Sequence, residues 1–370
     1  MLPSFVTHTL GGSAGALGLI EGASDGLAGV AKLAGGSAAN DERRRRSIAV
    51  GGYVGTGLAT GAIGLAGALW QAGVLRAVGW IARGARGPAK NALLVSLVPR
   101  DAYGRAFGYE RAMDHLGAVV GPLAAAGLVA AIGIRNTLYV SVVPGVLAAL
   151  AIFVAARETI PRGAITRRVR LELAALHEAG VVRALAPVTL FELGNCAATL
   201  LILRATGLLD GRRGAADAAA VAVLLYAAHN LVASAFAYPA GRSVDRRGPR
   251  SVFALALVLF AAAYAGFALS VHSWPLLLFF FCLAGAGMGL AETAESALVA
   301  RLLPNELRGS GFGLLGGVQS LGDFVSSAAV GAVWTAASPT AAFATAAGWM
   351  LLSLIATAVV GRAQAGAGVT

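Results

Sequence analysis

The chain has 370 residues, of which 57% are hydrophobic and only 13% charged, with a mean hydropathy of +0.74. Soluble proteins are typically ~25% charged, so a soluble enzyme and a disordered chain are both excluded, whereas about eleven membrane helices of ~20 residues would account for the apolar content. The net charge of +11 reads as the Lys and Arg that cytoplasmic loops of membrane proteins collect, not as a nucleic-acid surface.

Apolar runs long enough to cross a bilayer fall at 13–34, 48–69, 71–93, 105–130, 136–156, 184–206, 217–239, 251–271, 275–298, 311–335 and 340–361. Membrane β-strands are about half that length, so the expected fold is an all-α polytopic bundle with about eleven complete transmembrane helices. The first residues, MLPSFVTHTLGG, carry neither the basic region nor the cleavage site of a signal peptide. Cys196 and Cys282 both sit in apolar runs and read as small packing residues. The 50 glycines suit helices whose backbones approach closely in lipid.

Basic residues fall on alternate loops. One set holds Arg43 to Arg46, Lys90, Arg100, Arg105, the stretch Arg157 to Arg183, Arg242 to Arg250, Arg301, Arg308 and Arg362. The opposite loops have only Arg135, Arg212 and Arg213. The rich set is expected to face the cytoplasm, together with the C-terminus, in a multi-pass protein of the inner (cytoplasmic) membrane.

The chain also matches itself at a constant offset of 205 residues. Pro99, Asp101, Gly104, Phe107, Gly108, Leu116 and Gly117 fall on Pro304, Glu306, Gly309, Phe312, Gly313, Leu321 and Gly322. Gly36 falls on Gly241, Arg45 on Arg250, Gly84 on Gly289 and Arg157 on Arg362 in the same register. Chance does not hold one register over that distance, so two parallel halves of one six-helix unit are expected: 1–157 and 184–370, joined by a cytoplasmic linker at 158–183 that is basic and partly amphipathic. The offset carries the span 184–206 to positions before Met1. The first helix of the first half is therefore expected to be largely missing, through a truncated or misassigned start, with residues 1–10 as its outer stump; a natural eleven-span variant is the alternative.

The segment GRSVDRRGPR (241–250) resembles the G-x-x-x-D-R-x-G-R-R loop signature of the major facilitator superfamily (MFS), at the position that the family gives it, between the second and third helices of a half. GAVVGP (117–122) resembles the family's antiporter motif more weakly, since small residues at that spacing are common in helix packing. The resemblance implies an MFS fold whose halves rock about a central site. It also implies a conformational-switch role for Gly241, Asp245, Arg246, Gly248 and Arg250, the acid steadying one alternating state through a neighbouring helix terminus and a basic residue. The first-half loop departs from the pattern: Asn40 stands where Asp245 maps and Arg43 where Gly248 maps, with Asp41 one place late as a possible substitute.

An ionisable group at membrane depth costs several kcal/mol and normally faces a cavity or a partner. The spans 48–69, 136–156, 251–271 and 340–361 contain no charge; these are the third and sixth helices of each half, which the family places outermost. Glu21 and Asp25 lie i, i+4 on one face, Arg76 and Arg83 lie in the fourth helix, and Arg111 and Asp114 in the fifth. A buried carboxylate beside an Arg can load and release a proton, which makes Glu21, Asp25, Asp114, Arg76 and Arg111 proton-coupling candidates. A fixed ion-pair lattice of Glu21, Asp25, Arg76 and Arg111 is the competing reading. Substrate-cavity candidates are Arg83, Glu192, Asn195 and Glu292, with Glu295 near the last of these and free to pair, like Glu292, with Lys90. His115, His229, Gln319 and Asp323 read as packing residues.

GAGMG (285–289) mimics part of a dinucleotide loop, but no strand precedes it. No phosphate loop, nucleophile elbow or metal-spaced cluster is present in the sequence, so neither an enzyme nor a cofactor is expected. The expected function is a secondary active transporter that moves a small molecule by alternating access, with proton-coupled efflux as the leading form. An uptake permease for a sugar or organic acid, and a transport-incompetent membrane protein, are the alternatives. Expected partners are the lipid bilayer, a small-molecule substrate and protons, with a monomeric chain.

Overall fold

A computed structural model describes residues 2–156 and 173–367. The 158–172 part of the linker lies outside the described residues. The remainder is helical, with no strand among the described residues: α1 Leu2–Ser4, α2 Ala14–Ala38, α3 Glu42–Ala62, α4 Leu69–Leu97, α5 Tyr103–Val140, α6 Val142–Ala155, α7 Leu173–Glu178, α8 Val181–Gly194, α9 Ala198–Arg213, α10 Ala215–Arg247, α11 Pro249–Ala268, α12 Trp274–Leu302, α13 Arg308–Ala336 and α14 Pro339–Ala367. Seven helical segments among the described residues are long and apolar enough to cross a membrane. α2, α4 and α13 have the length but carry the glycines and charges of the interior.

The 205-residue offset holds element by element. α4 (Leu69–Leu97) maps onto α12 (Trp274–Leu302), and the short 3-10 turn Arg100–Ala102 maps onto Asn305–Leu307. α5 starts at Tyr103 and α13 at Arg308, again 205 apart. Identical boundaries in two halves mean that the same residue pattern starts and stops each helix.

The chain forms two compact units, each of which takes a segment from the other sequence half. The first unit contains 1–97, 120–179 and 303–320; the second contains 98–119, 180–302 and 321–370. In the first unit α4 packs against α2 and α3, and α3 against α6. In the second, α12 packs against α10 and α11, and α14 against α11 and α8. Except for α8 with α14, these are the same pairings under the offset.

Two departures from the sequence expectation concern helix continuity. The run 184–206 is interrupted at 195–197, where α8 ends and α9 begins. Backbone groups freed at membrane depth must find protein partners, and they do: Ser326 Oγ donates to the Asn195 carbonyl at 2.8 Å, and the Ala197 N–H donates to Ser327 Oγ at 3.2 Å. The turn expected between 130 and 136 is a kink at Gly133, whose φ of +79° only glycine adopts readily.

Glycine sets the spacing of the interior helices. A Cβ on Gly285 would collide with the backbone of His229, and one on Gly289 with that of Ala233, so α10 and α12 touch main chain to main chain. Gly285→Val is expected to cost about 1–3 kcal/mol. Gly331→Val, at a position where an added Cβ meets nothing within 4 Å, should change stability little. Thermal unfolding of the two variants in detergent checks the contrast.

Candidate functional site

Intramembrane charges gather in three places. In the first unit, Arg76 of α4 donates through Nη2 to Glu21 Oε2 of α2 at 2.7 Å. Trp80, one turn on, donates its indole N–H to Asp25. The Arg76 guanidinium lies 3.3 Å from the Trp80 ring centroid and that of Arg83 lies 5.1 Å from it. Glu21 and Arg76 therefore do pair, whereas Asp25 is bound by an indole. Sequence reasoning passed over Trp80, although its spacing from Arg76 and Arg83 (i+4 and i−3) marks one helix face.

The second gathering lies in the second unit, where α5 meets α12 and α10. Arg111 Nε approaches Glu110 Oε2 at 3.3 Å and Glu292 Oε2 at 3.7 Å, and Nη1 lies 3.7 Å from Asp114 Oδ2. Its Nη2 donates to Ser296 Oγ at 3.3 Å. His115 Nε2 lies 3.3 Å from the same Glu292 oxygen, and Nδ1 faces Asn230 Oδ1 at 3.4 Å. The Asn230 amide is oriented by donating its NH2 to the Tyr226 carbonyl. The two ring nitrogens thus lie against oxygens of two different helices. Glu295 is buried one turn from Glu292. Within its unit Arg111 draws its partners from α5 and α12. Glu292 pairs with Arg111 and His115. His115, read from sequence as packing, lies against Glu292; the signal was its place one turn (i+4) from Arg111.

The third is the α8–α9 break. Glu192, 4% exposed, accepts from Asn195 Nδ2 at 3.4 Å, and Asn195 Oδ1 accepts from Tyr264 Oη at 3.3 Å. Gly322 of α13 packs against Glu192 so closely that a Cβ there would collide. Elsewhere, His229 is buried and its Nδ1 lies 3.2 Å from the Phe281 carbonyl oxygen, in keeping with a packing role.

The loop signature occupies a different kind of site. Asp245, at the end of α10, accepts from the backbone N–H groups of Gly104 and Arg105 at 2.7 and 3.0 Å, where α5 begins. Arg105 Nε at 3.1 Å and Arg301 Nη2 at 3.2 Å complete its ion pairs. A carboxylate at a helix N-terminus satisfies orphan donors and the dipole together. The basic partners are thus Arg105 and Arg301; Arg246 is exposed in the last turn of α10, and Arg250 lies in the first turn of α11. Gly248 turns the chain between them with φ +84°. Just beyond Asp245, Gly104 and Gly241 touch main chain to main chain.

The first unit repeats this with a neutral residue. Asn40 Oδ1 accepts from the Ser310 N–H at 2.8 Å, near the start of α13, and its NH2 donates to Ser310 Oγ at 2.7 Å. Ser310 is the offset equivalent of Arg105. Asn40 itself therefore takes the place of the acid. Asp41, considered as its substitute, instead caps α3 by accepting from the Arg43 N–H, which explains why no glycine is needed at position 43. Arg45, 1% exposed, crosses from α3 to donate to the Ala39 carbonyl and to both Oδ1 and O of Asn305. Gly36 and Gly309 make the matching backbone contact.

Paired helix bundles related by a repeat, charges confined to interior helices and a loop acid capping a helix of the neighbouring repeat define a membrane carrier of the secondary-transporter kind. A family model described as Major Facilitator Superfamily matches residues 1–209 and 213–367, and the chain belongs to that family. It is similar to the uncharacterized protein Rv2265 of Mycobacterium tuberculosis, at 30% identity over 319 residues, 84% of this chain and 76% of that one. It is also similar to the uncharacterized MFS-type transporter MJ1317 of Methanocaldococcus jannaschii, at 24% identity over 347 residues, 90% of this chain and 83% of that one. Among solved structures, the human organic anion transporter MFSD10 superposes with a TM-score of 0.72 at 17% identity, covering 90% of this chain and 82% of that one. The proton:xylose symporter XylE superposes with a TM-score of 0.67 at 14% identity, covering 92% and 85%.

Asp245→Ala removes the acceptor for two helix-terminal N–H groups and two guanidiniums and should weaken the α5–α10 contact by ~2 kcal/mol. Asp245→Asn should lose about half as much, since an amide oxygen can still cap the helix. Faster hydrogen exchange of peptides containing Gly104 and Arg105, in that order of effect, is the readout.

Proposed function

We propose that the chain is a proton-coupled secondary transporter that exports a small molecule by alternating access, lying in the cell membrane with its arginine-rich loops in the cytoplasm. The observation that carries the coupling is the Arg111 cluster. Glu110, Asp114 and Glu292 surround a single guanidinium that also has an imidazole for a neighbour. Carboxylates in excess of the fixed positive charge share protons as a group, and their number responds to any change in spacing. Asp114 is 56% exposed while Arg111 is largely buried, so a proton has an open entry to an otherwise enclosed cluster. The Glu21–Arg76 pair of the first unit offers a second place for the same chemistry.

The Asp245 and Asn40 contacts support the alternating part of the reading. Each holds the start of one helix against the end of another through hydrogen bonds that can be broken as a set, which is how a bistable element is built.

Everted membrane vesicles with a respiration-driven pH gradient and a dye reporting lumenal acidity test the proposal. A panel of cationic, neutral and anionic compounds is expected to contain a member that releases lumenal protons, with the response lost in Glu292→Gln and Asp114→Asn. A response that survives both and is lost in Glu21→Gln would move coupling to α2 and α4. Silence across the panel from folded, inserted protein would overturn proton antiport and favour uptake or a non-transporting protein.

A further inference from the structure

Arg83 stands at the middle of α4, fourteen residues from Leu69 and fourteen from Leu97, which is about 21 Å from either end at 1.5 Å per residue. It is exposed, and its one interaction among the described residues is with the Trp80 ring. The nearby acids are engaged elsewhere: Glu21 holds Arg76, and Asp25 accepts from the Trp80 indole. A guanidinium at that depth does not face hydrocarbon.

The helix has another face for that. Val74, Val78 and Ile81 form an exposed apolar stripe, while Arg76, Trp80, Arg83 and Gly87 recur at i, i+4, i+7 and i+11 on the opposite side. There is room beside them. A Cβ on Gly87, or on Gly22 or Gly26 of the neighbouring α2, would meet nothing within 4 Å. The offset supplies an internal comparison, since the position equivalent to Arg83 in α12 is Met288 and that of Arg76 is Phe281. The helix architecture therefore has no need of an arginine there.

We propose that Arg83 is the counter-charge for the transported molecule, and that this molecule is an organic anion bearing a carboxylate, sulfonate or phosphate group. The inference rests on the transport reading above and gives its substrate class. Guanidinium presents a planar fork of donors that such groups accept two at a time. Arg76, already committed to Glu21, fixes the Trp80 ring on which Arg83 lies.

Phenylglyoxal, which modifies accessible arginines, tests this on the unaltered full-length chain in lipid nanodiscs, with the modified sites read by mass spectrometry. Arg83 is expected to react while Arg76 and Arg45, both engaged, are spared. Benzoate, benzenesulfonate and phenyl phosphate should slow the Arg83 reaction several-fold, and benzylamine and benzyl alcohol should not. In parallel, the rise in melting temperature that the protecting anion induces should vanish in Arg83→Gln and persist in part in Arg83→Lys. An unreactive Arg83, protection by benzylamine instead of the anions, or no protection by any of them overturns the assignment. Anion protection without proton release in vesicles would support it while removing proton coupling; proton release by a compound that leaves Arg83 unprotected would keep transport and remove the anion.

Discussion

Main-chain contact between helices, made possible by glycine, is the constraint on which the other features rest. At Gly104 and Gly241, and again at Gly36 and Gly309, two helices approach until no Cβ fits between them. Only at that separation can the short side chain of Asp245 reach the N–H groups at the start of α5, or Asn40 reach Ser310. In lipid there is little hydrophobic drive to hold helices together, so close packing and hydrogen bonds supply the association. A larger residue would therefore remove the packing and the cap in one step.

That dependence gives the two contacts different electrostatic characters on one geometry. Asp245 is a charge held by two helix-terminal donors and two arginines, and its strength depends on salt. Asn40 keeps the helix-terminal hydrogen bond without the charge, and the buried Arg45 spans the gap through carbonyl and amide oxygens. The pair consequently has one contact that is sensitive to its ionic surroundings and one that is not.

The fold was legible because its signals are linear. Apolar runs gave the helices, alternating basic loops their expected direction, and the 205-residue offset the repeat, down to shared boundaries at Leu69 and Trp274. The site was legible only in part. Residue type and depth were enough to single out Arg111, Glu292, Glu21 and Arg76, but which of them meet depends on helix rotation, which sequence does not encode locally. Arg111 meets Glu110 and Glu292, and Glu21 meets Arg76. His115 could not be told from a packing histidine until Glu292 and Asn230 were seen on its two nitrogens. The break at 195–197 was hidden because its partners, Ser326 and Ser327, lie about 130 residues away.

The places where the halves disagree are the informative ones. Duplication supplies two copies of every position, and packing preserves both where it needs them, as with Gly84 and Gly289 or Gly104 and Gly309. The charges do not follow. Glu292 has Gly87 as its counterpart, Arg111 has Gly316, His115 has Ser320 and Arg83 has Met288. A residue needed to hold the bundle together would be expected in both halves, because the surrounding backbone is the same in both. These charges appear in one half only, where burying them costs free energy and the symmetric site shows that the fold stands without them. That asymmetry is the ground on which the residues proposed for transport stand apart from those that hold the bundle together.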